Sequence, residues 1–186
     1  FDDVLNDQRK TIFEQRFELM NADNISEIAN EMQYDVADEI IELYCPEKSY
    51  IDQWNLKDLQ NELSQYFSKK IDVSFDNSED EITQQYIKNK VYALIEENTT
   101  NRRGNHSEEE VNSAERMVML KILDDKWKDH INNLEQLRST IGLRGYGQRD
   151  PLNEYKNEAF GLFEELINNL KIDVSKIFSR MRLRER

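Results

Sequence analysis

Two long runs of apolar residues at helical spacing, joined by a short glycine-rich stretch, constrain the fold of this chain most. The first run extends from Met117 to Ile141 and the second from Tyr155 to Met181. Apolar residues three or four apart lie on one face of an α-helix. The stretch between the runs, TIGLRGYGQRDP at 140–151, holds three of the chain's five glycines and one of its two prolines. We therefore predict two long helices that fold back on each other as an antiparallel hairpin.

Both helices of this hairpin have recognisable start signals. Ser107 with Glu110 forms a capping box, and Asp150 is suited to cap a helix whose first residue is Pro151. The first helix should be about 33 residues, or roughly 50 Å, long. The predicted inward residues are Met117, Leu120, Leu123, Trp127, Ile131, Leu134, Leu137 and Ile141 in the first helix, and Tyr155, Ala159, Phe163, Leu166, Leu170, Val174, Ile177 and Met181 in the second.

Four shorter helices are predicted before the hairpin, over about 1–21, 25–45, 55–67 and 78–98. Asn24 with Glu27 and Ser78 with Glu81 are capping boxes at two of the starts, and Pro46 ends the second helix. The predicted inward residues of the first two helices are Val4, Leu5, Ile12, Phe13, Phe17 and Met20, then Ile25, Ile28, Met32, Val36, Ile40 and Leu43. Residues 69–81 are predicted to form an extended connector or a short strand through residues 71–75. The polar stretch NTTNRRGNH at 98–106 is the best internal boundary.

Composition supports an all-α fold and excludes several classes of protein. Charged residues make up 34% of the chain, whereas glycine and proline total only seven, a balance that suits helices with solvated faces. The net charge of −13 argues against a general nucleic-acid binder. Two basic spots remain, at 138–149 and in the final RMRLRER. The terminal arginines either stabilise a helix end or lie on anionic lipid. No stretch approaches the roughly 20 apolar residues of a membrane span.

Residues able to carry chemistry are present, but none forms a convincing catalytic, cofactor or metal site. GLRGYG at 142–147 lacks the glycine order and preceding strand of a dinucleotide loop. Neither His106 nor His130 has a second histidine or a cysteine at ligand spacing, so both are interpreted as structural or solvated. The adjacent acids Asp124 and Asp125 point in different directions on a helix and indicate a solvated face. Cys45, the only cysteine, is expected to act as a small buried apolar side chain.

The turn of the hairpin is the best candidate for a binding site. Leu143 and Tyr146 are large side chains in a loop with Arg144 and Arg149. One interpretation is a simple turn whose side chains fold back on the hairpin. The other is a contact surface for another polypeptide, because a tyrosine on a rigid projection offers both area and a hydroxyl group.

Two blocks of sequence resemble the C-terminal half of the SecA family, the bacterial preprotein translocase motors. They are FDDVLNDQRKTIFEQR at 1–16 and the longer block at 119–167, which contains DDKWKDH, LRGYGQRDP and EYKNEAF in that order. The resemblance implies that residues 1–24 are the distal part of the long helix of the helical scaffold domain. It further implies that 25–107 are the helical wing domain and that 108–186 return to the scaffold as the two-helix finger, with its tip at about 142–150.

The resemblance also implies a role. In the family, the finger tip contacts the SecYEG channel and the preprotein, and the scaffold restrains the motor domains and so regulates their ATPase activity. The matching tip residues here are Leu143, Arg144, Gly145 and Tyr146. ATP and magnesium belong to the motor domains, whose phosphate-binding motif this sequence lacks, so no cofactor or catalysis is expected of this chain. Anionic phospholipid is a further possible partner, and the expected location is cytoplasmic and peripheral at the inner membrane.

Two other hypotheses remain open from the sequence. One is a generic helical interaction scaffold, and the other is a helical enzyme that uses a metal or a small molecule. Because the chain begins with Phe1 inside a helical pattern, it is expected to be part of a longer protein. Apolar surfaces that the rest of that protein would cover should then be exposed, and the isolated chain should tend to self-associate.

Overall fold

The computed structural model describes residues 1–72, 82–144 and 150–184, in which there are α-helices, one 3-10 turn and no β-strand. The α-helices are α1 (Asp2–Asn21), α2 (Ile25–Tyr44), α3 (Leu56–Phe67), α4 (Gln84–Arg103), α5 (Glu108–Arg144) and α6 (Pro151–Arg180), and the 3-10 turn is Ile51–Gln53. The prediction of an all-α fold is confirmed. Within these ranges no helix is long and apolar enough to cross a bilayer.

The chain divides into two compact units. The first unit comprises Phe1–Asp23 and Glu115–Leu170, and the second comprises Asn24–Ala114 and Lys171–Arg186. The scaffold, wing and finger boundaries that the resemblance implies remain predictions.

Three predicted helix starts are confirmed by their capping hydrogen bonds. The side chain of Asn24 accepts from the backbone N–H of Glu27 at 3.1 Å, and Ser107 Oγ accepts from Glu110 at 3.1 Å. Asp150 Oδ1 accepts from the N–H of Leu152 at 3.1 Å, ahead of a helix that begins at Pro151. These bonds satisfy backbone donors that have no partner within the helix.

The predicted limits of α4 are wrong at both ends. The helix begins at Gln84, because Thr83 caps it by accepting from the N–H of Tyr86 at 3.1 Å. The predicted capping box at 78–81 lies outside the described residues. The helix also continues to Arg103, through most of the predicted polar break, and ends at Gly104 with φ of +48°. Three polar residues of this stretch, Asn98, Thr99 and Arg102, are buried and hydrogen-bonded within the fold, as when Arg102 Nη1 donates to the carbonyl of Phe178 at 2.8 Å.

The core of the second unit is formed mainly by α2, α3 and α4. Its buried residues are Val36, Ala37, Ile40, Ile41, Cys45, Leu59, Leu63, Phe67, Ile71, Ile87, Val91 and Ile95. Each large apolar side chain buried in this way stabilises the fold by about 1.5–3 kcal/mol. Ile71 lies in this core, whereas the question of a strand through 71–75 falls largely outside the described residues.

Several predicted inward residues are exposed. They are Phe13, Phe17, Met20, Leu43, Met117 and Ile177. Near these positions the buried residues are instead Leu19, Ile41, Met119 and Phe178. The buried residues of α1 are Gln8, Ile12 and Leu19. The predicted inward position of Ile12 is therefore confirmed, and Val4 and Leu5 are partly buried against the cluster of the hairpin, whereas the second half of the predicted stripe is wrong.

Candidate functional site

The candidate site lies at the end of the hairpin that α5 and α6 form in the first unit. Leu134, Leu137, Ile141, Tyr155 and Ala159 make one buried cluster. The residues that meet show the direction of the helices, because the ring of His130 lies 5.7 Å from that of Phe163, while Arg144 pairs with Glu158. A later residue of α5 therefore meets an earlier residue of α6. The predicted antiparallel arrangement of these two segments is what the structure has.

A third helix, α1, packs along this hairpin. Its Asp2 lies 3.5 Å from Arg138, and its Arg16 lies 3.1 Å from Asp124, so α1 runs antiparallel to α5. At its start the ring of Phe1 packs edge-on against Tyr155 with centroids 4.6 Å apart. The hairpin is thereby reinforced along one side by a further helix.

The predicted tip residues divide between described and undescribed positions. The side chain of Leu143 is 78% exposed, and Arg144 forms an ion pair with Glu158 on the facing helix. Gly145 and Tyr146 lie outside the described residues. Leu152, at the start of α6, is also exposed, so apolar side chains on both helices face solvent near the turn.

A polar junction that the sequence did not reveal lies in the core of the first unit. His130 of α5 is 2% exposed, and its Nε2 lies 2.6 Å from Oε1 of Gln8 on α1. Gln8 Nε2 in turn donates to the carbonyl of Ala159 on α6 at 3.1 Å. Because that amide group uses its nitrogen as the donor, Oε1 is the acceptor and His130 Nε2 carries the proton. Burial lowers the pKa of His130 below its ordinary value, which favours this neutral form.

His130 is therefore structural. Of the two interpretations that the sequence allows, a structural or a solvated histidine, the structure confirms the first. Spacing alone could not pair it with Gln8, since 122 residues separate them. A buried histidine requires a hydrogen-bond partner. The one signal for it in the sequence is a glutamine, Gln8, on the otherwise apolar face of α1.

Other potentially reactive groups have ordinary structural partners. His106 Nδ1 lies 3.2 Å from Glu110 on the next turn. Asp124 pairs with Arg16, whereas its neighbour Asp125 pairs with Lys121, so the two acids face different partners as predicted. Within the described ranges, no group of three or more His, Cys, Asp and Glu side chains is arranged to hold a metal ion.

Comparison with known proteins gives a consistent result over nearly the whole chain. Residues 1–182 match the family model described as SecA Wing and Scaffold domain. A protein named Protein translocase subunit SecA from Bartonella bacilliformis is 44% identical over 180 residues, which are 96% of this chain and 20% of that protein. Its namesake from Bartonella tribocorum is 39% identical over 183 residues, 98% of this chain and again 20% of the relative. The chain thus spans about a fifth of the length of these curated relatives, and it belongs to the SecA wing and scaffold domain family.

Proposed function

We propose that this chain is a non-catalytic helical part of a protein translocase, which transmits the movement of an ATP-driven motor to a preprotein at a membrane channel. The end of the α5/α6 hairpin is the contact surface in this proposal. Leu143 and Arg144 belong to it, together with Gly145 and Tyr146 of the connecting stretch. The chemistry of ATP and magnesium belongs to motor domains outside this chain.

The observation that best supports the proposal is the exposure of Leu143 at the end of a buttressed hairpin. A leucine that is 78% exposed contributes little to the stability of its own helix, but it can bury apolar area against another polypeptide. The ion pair between Arg144 and Glu158 bridges α5 and α6 one residue farther along the chain, and α1 supports the same pair of helices. A contact group held on a rigid support loses little conformational entropy when it binds.

Partners and location follow from the same proposal. The channel is SecYEG in the family. The motor domains are the second partner in this proposal, and the chain would regulate their ATPase activity. The protein would act in the cytoplasm, associated peripherally with the inner membrane. The arginines near the end of the chain, among them Arg182 and Arg184, offer charges that anionic phospholipid can bind.

Site-specific photocrosslinking tests the contact directly. The SecA subunit of Bartonella bacilliformis would carry this chain in place of its matching region, with a photoreactive phenylalanine analogue at Leu143. During translocation into membrane vesicles, we expect crosslinks to the preprotein and to the channel that require ATP. The matched control is the same analogue at Leu43, a leucine of α2 that is 69% exposed, from which neither crosslink is expected.

The competing function, a generic helical interaction scaffold, predicts a different result. In that case Leu143→Asp in the same chimera would leave both translocation and channel binding unchanged, and no crosslink from position 143 would depend on ATP. Those results together would overturn the proposed contact.

A further inference from the structure

Polar contacts between α1 and the hairpin occur at several levels along α1, and all of them agree on one axial alignment. From one end to the other, the pairs are Asp2 with Arg138, Gln8 with His130, and Arg16 with Asp124. At the end of α1, Arg116 donates to the carbonyl oxygens of Leu19 at 3.0 Å and Ala22 at 2.6 Å. These levels span the whole length of α1.

The levels differ in how strongly each one resists sliding. Asp2, Arg138, Arg16 and Asp124 are solvent-exposed, and exposed ion pairs contribute little. Gln8 and His130 are both buried, and leaving such groups without a partner is costly. Arg116 is half-buried and holds only the last turn of α1, so the pair of Gln8 and His130, in which both side chains are buried, should contribute most to the alignment.

A slide of α1 by one helical turn in either direction breaks this agreement. One turn is about 3.6 residues, or about 5 Å along the axis, so the slide replaces each facing residue by the one about four positions away. A slide in one direction would bring Ile12 opposite His130, and a slide in the other would bring Val4 there. Neither side chain can accept a hydrogen bond from His130 Nε2. The slide that places Ile12 opposite His130 would also bring Arg16 opposite Lys128, which carries the same charge. The apolar side chains of α1 could pack in a shifted alignment, whereas the polar ones could not.

We propose that the buried pair of Gln8 and His130 acts as a register lock, which fixes the axial position of α1 on the α5/α6 hairpin so that the three helices move as one rigid body. A single buried polar residue sets helix register in coiled coils by the same physical means. The hydrogen bond from Gln8 to the carbonyl of Ala159 extends the lock to α6. Its consequence for transmission of movement rests on the proposed function, whereas the lock itself does not.

Distance measurement between two spin labels tests the lock in the complete 186-residue chain. The labels would be attached to cysteines at Glu18 and Ser139, both exposed, in a background with Cys45→Ala. The two sites lie about 25 Å apart along the helix axes, so a slide of one turn changes their separation by about 5 Å. The chain with an intact lock should give a single distance.

The deciding variant carries Gln8→Leu with His130→Leu, which replaces the polar pair by apolar side chains. We expect a second distance, displaced by about 5 Å, whose population rises tenfold or more because the buried pair's share of the penalty against the shifted alignment is removed, while the Arg116 cap and the ion pairs remain. The exchange variant, Gln8→His with His130→Gln, retains a polar pair and should return to one distance. Gln33→Leu, a buried glutamine of the second unit, is the matched control and should also give one distance.

A single distance in the folded double-leucine variant would overturn the proposal. If Asp2→Ala with Arg16→Ala then gave a second distance, the exposed ion pairs would be what sets the alignment. Circular dichroism establishes that each variant is folded at the temperature of measurement. Should the double variant be unfolded, Gln8→Met is measured in its place, and the same criterion decides. Because no step depends on translocation, failure of the lock and failure of the proposed function are distinguishable.

Discussion

Arg116 of α5 caps the end of α1, with its Nη2 donating to the carbonyl oxygen of Ala22 at 2.6 Å. The last turn of α1 contains no basic residue of its own, so a cation from another helix meets the negative end of its dipole. We predict that Arg116→Ala lowers the free energy of unfolding by about 2 kcal/mol, because a half-buried charged donor with two acceptors is lost. Urea denaturation followed by circular dichroism measures the change.

The control for this prediction is Lys121→Ala on the same helix. Lys121 is exposed and pairs with Asp125 four residues later, a contact worth only about 0.3–0.5 kcal/mol. Arg116→Lys keeps the charge but cannot reproduce the forked donor, so it should fall between the two. Equal effects of Arg116→Ala and Lys121→Ala would show that the cap contributes nothing beyond an ordinary surface contact.

The burial of His130 predicts that stability falls in mildly acidic solution. Its pKa is lowered in the folded state, so the unfolded chain binds the proton more readily. The contribution of neutral His130 is fully present above the unfolded value of about 6.5, and it is lost as pH falls from there through the folded pKa. The slope from this one group is at most about 1.4 kcal/mol per pH unit.

The measurement is a series of urea denaturations between pH 7.5 and 5.5 on the natural chain and on His130→Gln. Glutamine does not titrate and can still donate to Gln8, so the difference between the two pH profiles isolates the histidine from the many carboxylates. Parallel profiles for the two proteins would contradict the prediction.

The helical content and the hairpin could be predicted because they depend on local patterns. The runs up to Ile141 and from Tyr155, together with the cap at Asp150, specify two helices and the short connection between them. Short connections leave long helices little choice except to pack against each other. The helix starts at Asn24 and Ser107 are predictable for the same reason, since a capping box is contained within four residues.

The errors have a common cause in tertiary packing. The apolar pattern predicts Phe13 and Phe17 to face inward, whereas the buried face of α1 includes Gln8, whose partner is 122 residues away. The sequence predicts a polar break around Arg102, although its guanidinium group is buried against α6. In both cases a polar side chain is buried because the fold supplies its hydrogen bonds, and a local pattern cannot reveal a distant partner.

Arg102 therefore provides a test of how much a missed residue contributes. Its guanidinium group donates to the carbonyl of Phe178 and lies 5.0 Å from the centre of the Phe178 ring. We predict that Arg102→Ala destabilises the chain by about 3 kcal/mol, since it removes a charged hydrogen bond, a cation–π contact and buried volume together. Thermal denaturation measures the loss. Asn101→Ala, the exposed neighbour on the same helix, is the control and should change stability by less than about 0.5 kcal/mol.

Cys45 supplies a reporter of unfolding that needs no engineered group. Its side chain is fully buried at the end of α2, as the sequence predicted, and burial raises its pKa to about 11. Since the thiolate is the reactive form, we predict that Ellman's reagent at pH 8 modifies the folded chain at least about a hundredfold more slowly than the chain in urea. Absorbance of the released thionitrobenzoate gives both rates.

The control is Ser139→Cys in a Cys45→Ala background, which places the same thiol on an exposed position of α5. That thiol should react at nearly the same rate with and without urea. Added below the unfolding transition, urea should accelerate only the reaction of Cys45, because the core of the second unit must open before the reagent can reach it. If Cys45 reacts in the folded chain as fast as the cysteine at 139, the packing of α2 against α3 and α4 around it is not what the structure describes.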